Sequence, residues 1–459
     1  LWPGGNFHAP DSKRNTHSAY HSGNHCSHQQ ITGLHRGMPD GNGIKLILTA
    51  VLLMGSGTIT DAQEHPIVIG YERFHSESPS IEGGRILFNE LGCVNCHNHA
   101  TGLPERKGPD LGGILQRSQP DWVDAFLKNP AETKPGTTMP QMHLKEREVD
   151  AVLHYLASLK PTKEVPDAFW FVNAERGLAL YHEFGCAACH EPSPDFHPVD
   201  GQPDRKDFTY PHVPLPDLKQ KYDFNSLSAF LYEPHDYWPW GRMPKFELER
   251  EDGGDLAAFL LDFHNGDSTE YPPIEEFEPK PSLVEIGKEI VELRNCSVCH
   301  SLEKMDNPRH PILNPINPGY SDFQELQKHP QYHLNEGQSS SIQLYLNADN
   351  PKLVPASSQL QTLNCMACHE RNGIGGPDAA RKTYFSGNHD LGDSGRYPPP
   401  LTGIGRKLNP DWLRNILIET NREPDPKPKR NKNKTAEPES RPKVRPYLKT
   451  QMPGFGESV

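Results

Sequence analysis

Four copies of one short motif constrain this chain more than anything else in it. They are Cys93, Cys96 and His97; Cys186, Cys189 and His190; Cys296, Cys299 and His300; and Cys365, Cys368 and His369, each a Cys-x-x-Cys-His run. The residues ahead of each motif repeat too. A small residue stands nine before the first cysteine (Gly84, Gly177, Gly287, Ala356), and an apolar or aromatic one stands five before it (Phe88, Tyr181, Val291, Leu360). This predicts a short helix feeding each motif, with the small residue where a second helix comes close. A further repeat closes the units. Met139-Pro140 and Met243-Pro244 each precede a helical pattern of apolar residues at steps of three and four, and an aromatic (Tyr155, Phe259) lies sixteen residues after the methionine.

The spacing has a chemical reading. Two thiols three apart fall on one side of a helical turn. They can add to the two vinyl groups of one haem, and the histidine that follows can bind its iron. Zinc is the main competitor for cysteine pairs, but zinc ribbons place two pairs about 15–20 residues apart. Here successive motifs are 93, 110 and 69 residues apart. A dithiol redox motif would occur once, on a βαβ pattern that is not seen. The cofactor expectation is therefore four c-type haems (iron), held by all eight of these cysteines.

With these motifs the chain resembles the class I c-type cytochromes, as a tandem array. Gly108-Pro109-Asp110-Leu111 looks like the family's loop after the attachment site, Asp121 to Leu127 like its middle helix, and Gly136 to Pro140 like its distal-ligand loop. The resemblance implies an all-α fold of four small helical domains and electron transfer. It makes His97, His190, His300 and His369 proximal ligands, with Met139 distal to the first haem, Met243 to the second and Met452 to the fourth. The third unit departs from the pattern. Its only methionine after the motif, Met305, is too close to reach the far haem face. His329-Pro330 to Tyr345-Leu346 aligns without a gap with Met139-Pro140 to Tyr155-Leu156. The register favours His329 as distal ligand and a bis-His haem, which lowers its potential. Another histidine (His310, His333) or an iron with no distal protein ligand remain alternatives. So does an alignment of Lys328-His329-Pro330 with Lys128-Asn129-Pro130 of the middle helix.

Domain boundaries follow from the repeats: 63–162, 163–270, 271–350 (compact) and 351–459. The last holds a charged insert at 421–446, read as a solvated loop before a basic docking patch. Its closing aromatic would fall past Val459, so that unit is expected truncated, without its final helix. The chain opens on Leu1, and residues 1–37 read as upstream sequence or a disordered extension. Residues 38–62 read as a signal peptide: Met38, Lys45, the apolar run Ile44 to Met54, and a cleavage point at Ala62-Gln63. The run is short of the ~20 residues that span a bilayer, although an extension ahead of a membrane anchor is the alternative. The apolar fraction is 34% and there are 46 prolines, thin for conventional cores but suited to Pro-rich loops wrapped round large apolar rings. A net charge of −13 argues against nucleic acid. The expected setting is periplasmic or extracellular, with redox proteins as partners and a membrane-associated electron-transfer complex as one context. Whether the chain is itself an enzyme is left open. The competing readings are a peroxidase-like haem enzyme or small-molecule oxidoreductase with an open third haem, and the electron-entry module of a longer enzyme. Scattered histidines (His75, His99, His182, His212, His264) read as surface or haem-edge residues.

Overall fold

The computed structural model describes residues 65–97, 103, 105–167, 172–263, 273–302, 330–348, 356–385, 387, 389–418 and 452–454. The signal-peptide reading, His310, His329 and the charged insert lie outside the described residues. The fold is all-α. Among the described residues two strands, Glu370–Arg371 and Ile374–Gly375, make one short hairpin.

The helices begin where local chemistry starts them. Helix α1 spans Ile69–Phe74 and α2 spans Ile81–Glu90, where the Ser80 hydroxyl accepts from Gly83 N–H. Helix α3 (Pro120–Lys128) opens on a proline, whose missing N–H costs nothing in a first turn. Helix α4 is Glu146–Ser158. Helices α5 (Ala174–Glu183) and α6 (Phe224–Tyr232) are capped by Asn173 and Asp223. Helix α7 is Arg250–Phe263 and α8 is Pro281–Leu293, again with a leading proline. Helix α9 (Glu336–Leu346) has a reciprocal capping box between Asn335 and Gln338. Helices α10 (Ala356–Thr362) and α11 (Pro410–Ile418) complete the longer elements.

Three helix pairs carry the fold, and the repeated glycines set their approach. In the second unit α5 crosses α7. A Cβ on Gly177 would lie 2.0 Å from the Asp255 carbonyl oxygen and 2.7 Å from the Phe259 Cβ. The other two pairs cross the boundaries suggested by sequence order. Helix α2 of the first unit packs on α9 of the third, with Gly84 against Ser341 and Tyr345. Helix α8 of the third packs on α4 of the first, with Gly287 against Ala151 and Tyr155. The first and third units have thus exchanged closing helices. The contact register is the same in all three pairs, because Asp255, Ala151 and Ser341 are each four residues before the repeated aromatic.

Three apolar cores follow from these pairings. One joins Leu180, Tyr181, Leu256 and Phe259 within the second unit. One joins Trp122, Val149, Val152 and Tyr155 of the first unit to Val291 of the third. One joins Leu87, Phe88 and Val94 of the first to Ile342 and Tyr345 of the third. Helix α1 was not foreseen from sequence. It packs on α10 and α2, and a Cβ on Gly70 would lie 2.6 Å from the Gln361 carbonyl oxygen.

Candidate haem centres

All four attachment turns have one geometry. The residue before each first cysteine is left-handed: Gly92 (φ 71°), Gly185 (φ 81°), Asn295 (φ 56°) and Asn364 (φ 56°). Glycine and asparagine tolerate that conformation where other side chains are strained. The left-handed residue ends the feeding helix and turns the chain into the motif. Each histidine N–H then donates to the first cysteine carbonyl: His97 to Cys93 (2.8 Å), and His190 to Cys186, His300 to Cys296 and His369 to Cys365 (2.9 Å each).

Three imidazoles are held by a backbone carbonyl. Nδ1–H donates from His190 to Val213 O (3.0 Å), from His300 to Pro109 O (2.9 Å) and from His369 to Pro399 O (2.7 Å). A carbonyl can only accept, so Nδ1 carries the proton and Nε2 keeps its lone pair for a metal. The Gly108-Pro109 loop belongs to the first unit by sequence, yet it serves the third unit's histidine. Gly108 N–H donates to Cys299 O (2.6 Å), and a Cβ on Gly108 would lie 2.7 Å from His300 Cε1.

The eight motif cysteines form no disulfides. Burial pushes the Cys93 and Cys186 thiols up to about 12 and those of Cys189, Cys296 and Cys365 up to about 11. Burial therefore favours the neutral thiol at these positions. The motifs meet in twos. Asn95 Nδ2–H reaches Cys299 Sγ at 3.5 Å, joining the first motif to the third. Asn364 Nδ2–H reaches Cys189 Sγ at 3.0 Å, joining the second to the fourth.

The loops that carry the distal candidates meet in the same twos. Gln141 and Gln331 exchange two backbone hydrogen bonds (2.7 and 3.0 Å), as do Lys245 and Gly454 (2.7 Å each). Gln141, Lys245 and Gly454 each lie two residues after the methionine of their loop, and Gln331 lies two after position 329. Met243 packs in the core that holds Cys186. Met139 lines a small cleft with Gln331, Tyr332 and the exposed His333. Of the scattered histidines, His182 is no surface group. It is fully buried, stacks on Phe196 at 3.8 Å, and donates from Nδ1 to Leu178 O at 2.9 Å.

The residues present fit an anionic, ring-shaped group. Arg73 and Arg381 converge on the Tyr210 ring, 4.4 and 3.9 Å away, beside Cys189 and Cys368. The Asp378 carboxylate is paired with Arg381 and also acts on Arg73. Among the described residues, Arg73 Nη1 and Arg381 Nε are buried without a hydrogen-bond partner. Unsatisfied buried donors are costly, and the carboxylates of a haem would satisfy them. Sequence reasoning passed over these arginines, because an arginine carries no motif until the fold gathers it.

The model of the family described as cytochrome c matches residues 81–160 and 174–263. No curated protein and no solved structure matches the chain. These two regions are similar to cytochrome c domains, a family whose members carry covalently bound haem iron and serve haem-based electron transfer. Among the described residues no helix is long and apolar enough to cross a membrane.

Proposed function

We propose that this is an exported tetrahaem cytochrome that relays electrons between redox proteins through two haem pairs. The observation that carries the reading is the pairwise meeting of the attachment motifs, seen in Asn95 against Cys299 and Asn364 against Cys189. Four haems strung out singly would leave the motifs apart, whereas contact between motifs brings ring edges near one another.

Each haem supplies a one-electron iron couple, tuned by its axial ligands and by burial. The chain's own residues set those terms. The eight cysteines would fix the rings, and His97, His190, His300 and His369 would bind from the proximal side. Met139, Met243, Met452 and, by register, His329 would bind from the distal side. The carbonyls of Val213, Pro109 and Pro399 hold three imidazoles in one tautomer. Arg73 and Arg381 place positive charge beside the second and fourth motifs, which would favour the reduced state of a haem held there. Ligation by both sets of residues would leave no open iron for a substrate, so the proposed role is electron transfer among redox proteins, periplasmic or extracellular, with no nucleic acid partner. A membrane-associated electron-transfer complex is one setting in which such a relay would work.

The test is the mass of the purified protein with its haems attached, followed by a spectroscopic redox titration. Four haems per chain are expected, with coupling within pairs in the magnetic spectra of the oxidised form. Fewer than four, or four non-interacting centres, would overturn the paired relay. Carbon monoxide binding to one reduced haem at neutral pH would instead favour an open catalytic site.

A further inference from the structure

We propose that Met139 is the distal ligand of the iron on His300, so that the first and third haem sites are each assembled from halves of two sequence units. The inference rests on the haem reading above and concerns which residues share one ring.

Four observations point the same way. The proximal carbonyl for His300 comes from Pro109, 191 residues earlier. The helix crossing α8, which feeds Cys296, is α4, whose sequence begins just after the Met139 loop. The core around Cys296 contains Leu111, Trp122, Phe126 and Leu144, all from the first unit. The core around Cys93 contains Tyr332 and Leu334, and the Tyr332 hydroxyl donates to Leu91 O.

One equivalent residue makes the comparison direct. Leu248 stands five after Met243 and packs with Cys186 of its own unit. Leu144 stands five after Met139 and packs with Cys296, not Cys93. Leu334, at the matching place in the third unit, packs with Cys93. The distal loop travels with its leucine and its closing helix, so the Met139 loop covers the ring on Cys296 and Cys299. The ring on Cys93 and Cys96 is left to the loop that begins at Pro330.

Labelling the methionine methyl groups in the intact four-haem protein tests this without altering it. In the reduced state the methyl signal of Met139, identified by its loss in Met139→Leu, should show dipolar contacts to the thioether protons of Cys296 and Cys299. Contacts to those of Cys93 and Cys96 would overturn the proposal. The second arm compares Met139→His in the full protein and in a Cys296→Ala/Cys299→Ala background. One sulfur-to-iron charge-transfer band should vanish and one potential should fall in the first case, with no change in the second. An equal fall in both would overturn the assignment. If mass shows no haem on Cys296 and Cys299 of the unaltered protein, the four-haem reading itself fails, a result distinct from a misassigned methionine.

Discussion

Gly287→Ala isolates the helix crossing on which the exchange of units depends. An added Cβ would lie 2.0 Å from the Ala151 carbonyl oxygen, 2.7 Å from its carbon and 2.8 Å from the Tyr155 Cβ. Ordinary contact begins near ~3.5 Å, so α4 and α8 must part by more than an ångström or tilt. The obstructing atoms are backbone and cannot rotate away. A radial gap of about 1 Å forfeits roughly half of each dispersion contact, and the contacts at risk involve Val149, Val152, Tyr155 and Val291, all buried. Overpacking of this kind costs about 1–3 kcal/mol, with a rigid backbone clash at the upper end. The gain in helix propensity from glycine to alanine returns about 1 kcal/mol. The net expectation is a loss of about 2 kcal/mol, read as a lower denaturant midpoint followed through the haem absorption. Gly405→Ala is the control, because no atom lies within 4 Å of its would-be Cβ, and it should leave the midpoint unchanged or slightly raised. A Gly287→Ala protein as stable as its parent would refute the close crossing of α4 and α8, and with it the exchanged pairing.

Three further outcomes follow from buried charges. Burial pushes the Glu72 carboxyl up to about 7 despite a 3.1 Å hydrogen bond from Gln338 Nε2. Its folded form holds a proton that the unfolded chain has lost, so stability is full below about pH 4.5 and falls as pH rises toward 7. Glu72→Gln should remove that slope, and melting profiles that stay parallel from pH 5 to 8 would count against it. Burial pushes His182 down to about 4, so stability is full above about pH 6.5 and is lost as pH falls toward 4. His182→Phe should flatten this acid limb, at a cost of about 1 kcal/mol at pH 7 for the bond to Leu178 O; an unchanged acid limb would show that another group sets it. Glu90 accepts two bonds from Arg242 (2.8 and 2.6 Å) and lies 3.5 Å from Arg106. Glu90→Gln removes the countercharge of buried Arg106 and half-buried Arg242 and should cost about 2–4 kcal/mol, while adding Arg242→Met should recover part of the loss; chemical denaturation of both variants decides.

Much of this architecture was legible in the residues. Gly84, Gly177 and Gly287 announced close helix approaches, and each meets a carbonyl four residues before the repeated aromatic. The helix expected over Asp121 to Leu127 is α3, and the all-α expectation holds. Other features were invisible because they depend on residues far apart in the chain. Helix α1 has no motif, and its role is set by the Gln361 backbone it touches. Val213 offers only a backbone carbonyl to His190, which no side-chain pattern records. His182 reads like its scattered neighbours until Phe196 and Ser193 close around it.

The exchange itself was hidden by the regularity that revealed the repeats. A feeding helix marked by one glycine and a closing helix marked by one aromatic fit each other in any combination, so the signature states that helices pair without stating which. Chain length breaks the tie. The first unit has room for a Gly-Pro loop, a middle helix and a distal loop between His97 and α4, whereas His300 and Pro330 are separated by only a short interval. The third motif takes its Pro109 carbonyl and the Trp122 and Phe126 rings from the first unit. The ambiguity of aligning Lys328-His329-Pro330 with either the middle helix or the distal loop was the sequence trace of that shortfall. The contacts favour the distal loop, since Gln331 exchanges backbone bonds with Gln141 and Leu334 takes the place in its core that Leu144 and Leu248 take in theirs. Sharing elements between the first and third units brings their two motifs together, as the proposed two-haem relay requires.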